Sequence, residues 1–190
     1  MTNLDDIMKD FTKQIHRNGI IEIHQIPNID LYMDQVTTFM DKALSVYKRF
    51  DSDKILTKTM INNYTKAKIF PAPIKKKYSK THIMLLIMIY HLKSILSIRD
   101  IGILFRPILE FKSQEEISSA VLELYTGFIH LQKVTQKTFI SSTELQKTSL
   151  KEVIDSFEDN DLKKILMVLL LTIRANIEKQ LAERALDFYF

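Results

Sequence analysis

The chain of 190 residues carries 27 Lys and Arg against 23 Asp and Glu, and 46% of it is hydrophobic, with three glycines, no tryptophan and no cysteine. That apolar share excludes a disordered chain, and the absence of cysteine excludes disulfides, thiolate metal sites and cysteine nucleophiles together. Leu, Ile, Lys and Met dominate, which favours helices over a β-sandwich.

Residues 1–26 read as an N-terminal helix and arm. The opening MTNLDDIMKDFTKQIHRN is amphipathic, of mixed charge, and lacks the apolar core of a secretory signal. Asn3 and Asp6 stand in capping-box positions, which predicts a helix from about Asn3 to Asn18–Gly19. IIEIHQI then reads as extended. In residues 27–107, Tyr32, Val36, Phe39, Met40, Ala43, Leu44 and Tyr47 recur at helical spacing until DSDK breaks the pattern. TKTMINNYTKAKI predicts a short helix with Thr57 as its N-cap. Pro71 and Pro73 cannot continue it, because they lack backbone donors and force extended neighbours, so FPAPIKKKYS reads as a lysine hairpin. A further helix runs from about Ser79 to Ile95. Ser97 and Asp100 form a capping box for a short helix that Pro107 should close.

After Pro107 the character changes, and residues 108–190 read as an all-helical module. SQEE (Ser113, Glu116) and SLKE (Ser149, Glu152) predict two helix starts. Leu162–Leu186 holds no breaker. IMLLIMIY and ILMVLLLTI are the longest apolar runs, far short of the roughly 20 residues that cross a bilayer. Both predict buried core helices and no membrane partner.

The charge is unevenly distributed. From Lys54 to Arg99 there are nine lysines and one arginine and no acid; the remainder has 27 − 10 = 17 basic and 23 acidic residues, a balance of −6. A basic segment on an acidic body is the footprint of a polyanion-binding module. The five histidines show no metal-ligand spacing, and no phosphate cradle, nucleophile elbow or zinc-protease motif occurs. The expectation is therefore a protein without cofactor or metal, and not an enzyme.

The order of helix, short helix, lysine hairpin, long helix and capped short helix is a winged helix-turn-helix plan. The stretch MINNYTKAKIFPAPIKKKYSKTHIMLLIMIYHLKSILSIRDIGILF resembles the DNA-binding head of MerR-type bacterial regulators. That head has a recognition helix with aromatics, a proline turn, a basic wing ending in K-Y-S, an Ile/Leu-rich helix and an L-S-x-x-D-I helix. LYMDQVTTF and INNYTKAKIFPAPIKKKYSKTHI are similar to an uncharacterised bacterial family, domain of unknown function 1836. The turn SVYKRFDSDKIL is longer than its MerR-type counterpart and lacks glycine.

The resemblance implies a mainly α fold with a MerR-like winged head. It implies that Thr57, Lys58, Thr59, Asn62, Asn63, Tyr64 and Lys66 lie on or beside a recognition helix. Asn can read adenine, and Lys and Tyr can hold phosphates. Lys75, Lys76 and Lys77 would form the wing, with Tyr78 anchoring its return. The expected function is that of a cytoplasmic, sequence-specific transcriptional regulator on double-stranded DNA. Residues 113–190 are expected to form a homodimer, sense a small-molecule effector, or both. The alternative is a helical interaction module whose basic face binds an acidic protein.

Overall fold

The structure is a computed structural model that describes residues 19–111, 113–155 and 160–190, with backbone alone for 140–155 and 160. The helix expected from Asn3 to Asn18 lies outside them. Among the described residues the protein is mainly helical, with one small sheet. Strand β1 is Leu31–Tyr32, followed by helices α1 (Met33–Ala43) and α2 (Lys58–Lys66), strand β2 (Lys77–Tyr78), and helices α3 (Lys80–Leu92), α4 (Ile98–Leu109), α5 (Gln114–Asp155) and α6 (Asn160–Tyr189). Two compact units divide between Lys133 and Val134.

IIEIHQI is not simply extended. Gln25 bonds back to Glu22, whose N–H donates to Gln25 Oε1 at 2.8 Å, and Ile23–Gln25 close into a 3-10 turn. In α1 the predicted stripe buries Val36, Met40 and Leu44 completely. Helix geometry ends at Ala43, so Tyr47 sits in a second 3-10 turn, Ser45–Tyr47. There its hydroxyl donates to the Gly19 carbonyl at 3.2 Å. A β-carbon at Gly19 would overlap that hydroxyl, so the contact requires glycine.

The caps are local and hold as read. Thr57 Oγ1 accepts the Met60 N–H at 3.2 Å. Ser97 Oγ accepts the Asp100 N–H at 3.2 Å while Asp100 Oδ2 accepts the Ser97 N–H at 3.1 Å. Ser113 and Glu116 reciprocate in the same way. Two breaker readings do not hold. Pro107 lies inside α4, which runs on to Leu109. Proline removes only its own donor, and Glu110 N–H bonds the Arg106 carbonyl at 3.1 Å, so the last turn closes around it. Ser149 and Glu152 lie within α5 and start no helix. A capping pattern cannot end a helix that has no breaker before it.

The core centres on α3, where His82 through Ile89 are all buried. Ile117, Val121, Tyr125 and Ile129 of α5, four residues apart, join the same core. Tyr125 is fully buried and donates its hydroxyl to the Ile21 carbonyl at 2.8 Å. The basic segment therefore shares its core with the first turns of α5, across Pro107. The unit from Val134 to Phe190 differs. ILMVLLLTI, expected as a buried core helix, is not one among the described residues: Ile165, Val168 and Ile173 are more than half exposed. No helix among the described residues is long and apolar enough to cross a membrane.

Candidate nucleic-acid interface

Helix α2 is anchored by Ile61 and Tyr64, which are 0% and 5% exposed. At 100° per residue, Lys58, Thr59, Asn62, Asn63 and Lys66 fall on the opposite side, within an arc of about 140°. All five are exposed. Thr57 is half-buried and uses its hydroxyl as the N-cap, which fixes the first turn without offering that oxygen outward. Tyr64 is a correction: the 3.6-residue period turns it into the core, and burial raises its hydroxyl pKa. It cannot face a ligand. Lys58 pairs with Asp34 in the first turn of α1.

The helix ends in a Schellman motif. Ile69 N–H donates to the Tyr64 carbonyl at 3.2 Å and Lys68 N–H to the Thr65 carbonyl at 3.0 Å. Lys68 therefore takes a left-handed φ of 56°. After Pro71 and Pro73 the chain reverses at Lys75 and Lys76, whose φ values are 49° and 64°. Lys77 N–H closes the reversal on the Ile74 carbonyl at 2.9 Å. Two consecutive positive φ angles are the sign pattern of a type I′ turn, which normally takes Asn-Gly. The wing is thus a tight two-residue turn with a single Ile74–Lys77 bridge.

Its return strand pairs elsewhere. Tyr78 and Lys77 of β2 pair antiparallel with Leu31 and Tyr32 of β1. Lys77 Nζ also lies 5.3 Å from the Tyr32 ring centre, a cation–π contact. Tyr78 is buried and stacks on Phe70 at 6.4 Å, so it does anchor the return. His82 packs edge-on against both rings and accepts the Ser79 N–H at Nδ1, 3.0 Å away. That bond leaves the proton on Nε2, which is buried with no partner in hydrogen-bonding geometry. Burial lowers the His82 pKa, against the pull of the Ala72 and Pro71 carbonyls.

Tyr32 and Asp34 stand two residues apart at the start of α1. One holds Lys77 and the other Lys58, so the wing and the N-terminus of α2 converge on one end of α1. Lys66, Lys68, Lys75 and Lys76 are exposed and form no ion pair among the described residues. Lys68 escaped the sequence reading because nothing in A-K-I marks a left-handed residue where glycine is usual. All three non-glycine residues with positive φ among those described are lysines: 68, 75 and 76. A left-handed lysine costs about 1–2 kcal/mol.

Not every lysine of the acid-free block joins this face. Lys54 and Lys93 line a separate hollow of about 450 Å³ beside Tyr47, Tyr90 and His91. Lys93 Nζ donates to the Ile55 carbonyl at 3.0 Å, lies 4.9 Å from the Tyr90 ring centre, and has its pKa lowered by burial. Among the described residues there is no group of three His, Cys, Asp or Glu that could hold a metal ion.

The first unit is thus mainly helical, with a two-stranded clasp and an exposed Lys/Asn face on α2. The chain belongs to the family described as Domain of unknown function (DUF1836), whose sequence profile matches residues 21–128. The matched span starts at Ile21, whose carbonyl receives the Tyr125 hydroxyl, and ends beside the last core residues of α5. No curated protein and no solved structure matches the chain significantly.

Proposed function

We propose that the protein is a sequence-specific DNA-binding protein, a bacterial transcriptional regulator of MerR-like, winged helix-turn-helix type. One observation carries the reading. The Lys58–Lys66 face of α2 points away from Ile61 and Tyr64, and its start and the wing converge on one end of α1. On this reading α2 enters the major groove. Asn62 and Asn63 read base edges, bidentate to adenine where geometry allows. Lys58, Lys66, Lys75, Lys76 and Lys77 meet phosphates, and Thr59 supplies a neutral phosphate contact. Thr57 and Tyr64 act only by holding the helix.

A short recognition helix reads few base pairs, so two half-sites are expected. The exposed Ile165, Val168, Leu169, Ile173, Ile177 and Leu181 of α6 supply apolar surface for a second copy. The homodimer through residues 113–190 leaves out the buried face of the first turns of α5 and draws on α6 together with the exposed Leu131 and Val134 of α5. The alternative, an acidic protein as partner, draws on the scatter of Lys54 and Lys93 away from α2.

Selection from random duplex DNA decides between them. Enrichment of a two-part consensus supports the regulator. Recovery of random sequence with no enriched position overturns sequence-specific binding.

A further inference from the structure

We propose that Lys68, Lys75 and Lys76 form a phosphate-binding set in which lysine is kept at left-handed backbone positions, against the backbone's own preference, for the sake of its charge. The inference rests on the nucleic-acid reading above and adds Lys68 to it.

Three facts on different elements converge. Lys68 is the residue after the cap of a Schellman motif, a position where glycine folds best. Lys75 and Lys76 are the two central residues of a reversal whose φ signs favour Asn-Gly. Local chemistry would thus choose glycine or asparagine at all three. Each of the three is instead an exposed lysine without an ion pair among the described residues. Elsewhere in the described chain no other non-glycine residue has a positive φ. Residues that break a local rule cluster where function sets the identity. What the three share beyond the broken rule is an ammonium group, and no acid lies within the segment from Lys54 to Arg99 to neutralise it.

The Phe70–Tyr78 stack ties the two arms that carry them, since Lys68 lies two residues before Phe70 and Lys76 two before Tyr78. All three lysines are exposed, so these ammonium groups stand clear of the core. The ligand class is a run of phosphates along a nucleic-acid backbone. Contacts of this kind are blind to sequence, which separates the set from Asn62 and Asn63.

The test uses the full chain, with the triple variant K68G/K75G/K76G and a matched triple Lys→Gln variant. The probes are a random-sequence DNA duplex and inorganic polyphosphate. The glycine variant should melt higher than the parent by about 2–4 °C or more. It should bind the duplex roughly tenfold or more weakly at low salt, with the slope of log K against log salt flattened by roughly 3. The glutamine variant should lose binding equally and gain no stability, because it keeps the backbone cost and drops the charge. A glycine variant that binds the duplex as tightly as the parent overturns the set and leaves the DNA reading standing. One that melts lower overturns the claim that lysine opposes the backbone. If the parent binds polyphosphate but no duplex, and the glycine variant loses that binding, the phosphate set stands and the DNA reading falls. A parent that binds neither probe ends both.

Discussion

Two apolar strings of similar length meet opposite fates. IMLLIMIY in α3 is buried along nearly its whole length, whereas ILMVLLLTI in α6 leaves Val168 64% and Ile173 57% exposed. The difference lies in company, not composition. α3 is apolar on every side and is covered on every side by residues 21–129 of its own unit. The ILMVLLLTI string of α6 is as apolar, yet the described residues leave Ile165, Val168, Leu169, Leu171 and Ile173 exposed. An all-round apolar helix reports a need for cover. It does not report whether the same chain supplies it.

The largest expected effect tests that contrast directly. Leu85 is 0% exposed and Leu169 is 50% exposed. Leu85→Ala should cost about 2–5 kcal/mol in urea unfolding. Leu169→Ala should change the unfolding of a dilute monomer by less than about 0.5 kcal/mol. In the proposed dimer, however, Leu169→Ala should weaken assembly, and Leu169→Lys should abolish it. Light scattering on the parent should then give twice 22.3 kDa and on the Lys variant 22.3 kDa. A parent that stays monomeric at micromolar concentration removes the second copy as the cover.

Next in size is a pH effect confined to the first unit, because no histidine follows His130. His91, near the end of α3, packs among Tyr47, Tyr90 and Phe128, faces Gln132, and has its pKa lowered to about 4 by burial. The native state therefore disfavours the proton that the unfolded chain takes up at its ordinary value near 6.5. Unfolding binds a proton between those values, so stability rises with pH there. The contribution is fully present above about pH 6.5 and is lost as pH falls toward 4, by up to about 3 kcal/mol. The lowered pKa of His82 acts in the same direction. Urea midpoints at about pH 7 and pH 4.5 should differ accordingly, and His91→Phe should shrink the difference. An equal difference in that variant would assign the pH dependence elsewhere.

A third test concerns readout by the first unit alone. Asn62→Ala should cost about 1–3 kcal/mol on the selected site and clearly less on random duplex. An equal loss on both would reduce Asn62 to a positioning contact. The ratio should survive in the monomeric Leu169→Lys variant, since readout belongs to α2 and assembly to α6.

Sequence reading reached what is local. Thr57, Ser97 and Ser113 announce their helices because a cap is decided within four residues. The candidate residues of α2 came from the resemblance to a MerR-type recognition helix, which says that they lie on or beside that helix and not that the 3.6-residue period turns Tyr64 into the core. What escaped was decided by distant partners or by single backbone angles. The β1–β2 clasp joins two dipeptides 46 residues apart, too short to carry a strand pattern. Ile117–Ile129 belong to the core of the basic segment because Tyr125 finds Ile21, and 104 residues separate them. Pro71 and Pro73 announce a reversal, but the left-handed angles at Lys68, Lys75 and Lys76 are set by the hydrogen bonds around them, and a lysine does not advertise a positive φ.

The smallest expected effect separates stability from binding within one ion pair. Lys58 and Asp34 pair at the surface, with side chains 60% and 77% exposed. Pairs this exposed contribute about 0–1 kcal/mol, so Asp34→Asn should move the unfolding midpoint little. Binding should respond in the opposite direction. Asp34 holds the first lysine of α2, and on the proposed reading that ammonium group has to leave the carboxylate to meet a phosphate. Removing the carboxylate frees Lys58 and also takes a negative charge off the face that meets DNA. Asp34→Asn should therefore tighten duplex binding at low salt and steepen the slope of log K against log salt by roughly 1. Lys58→Met should do the reverse, with an equally small change in stability. If Asp34→Asn weakens binding instead, the pair is positioning the start of α2, and Lys58 is a structural residue, not a phosphate contact.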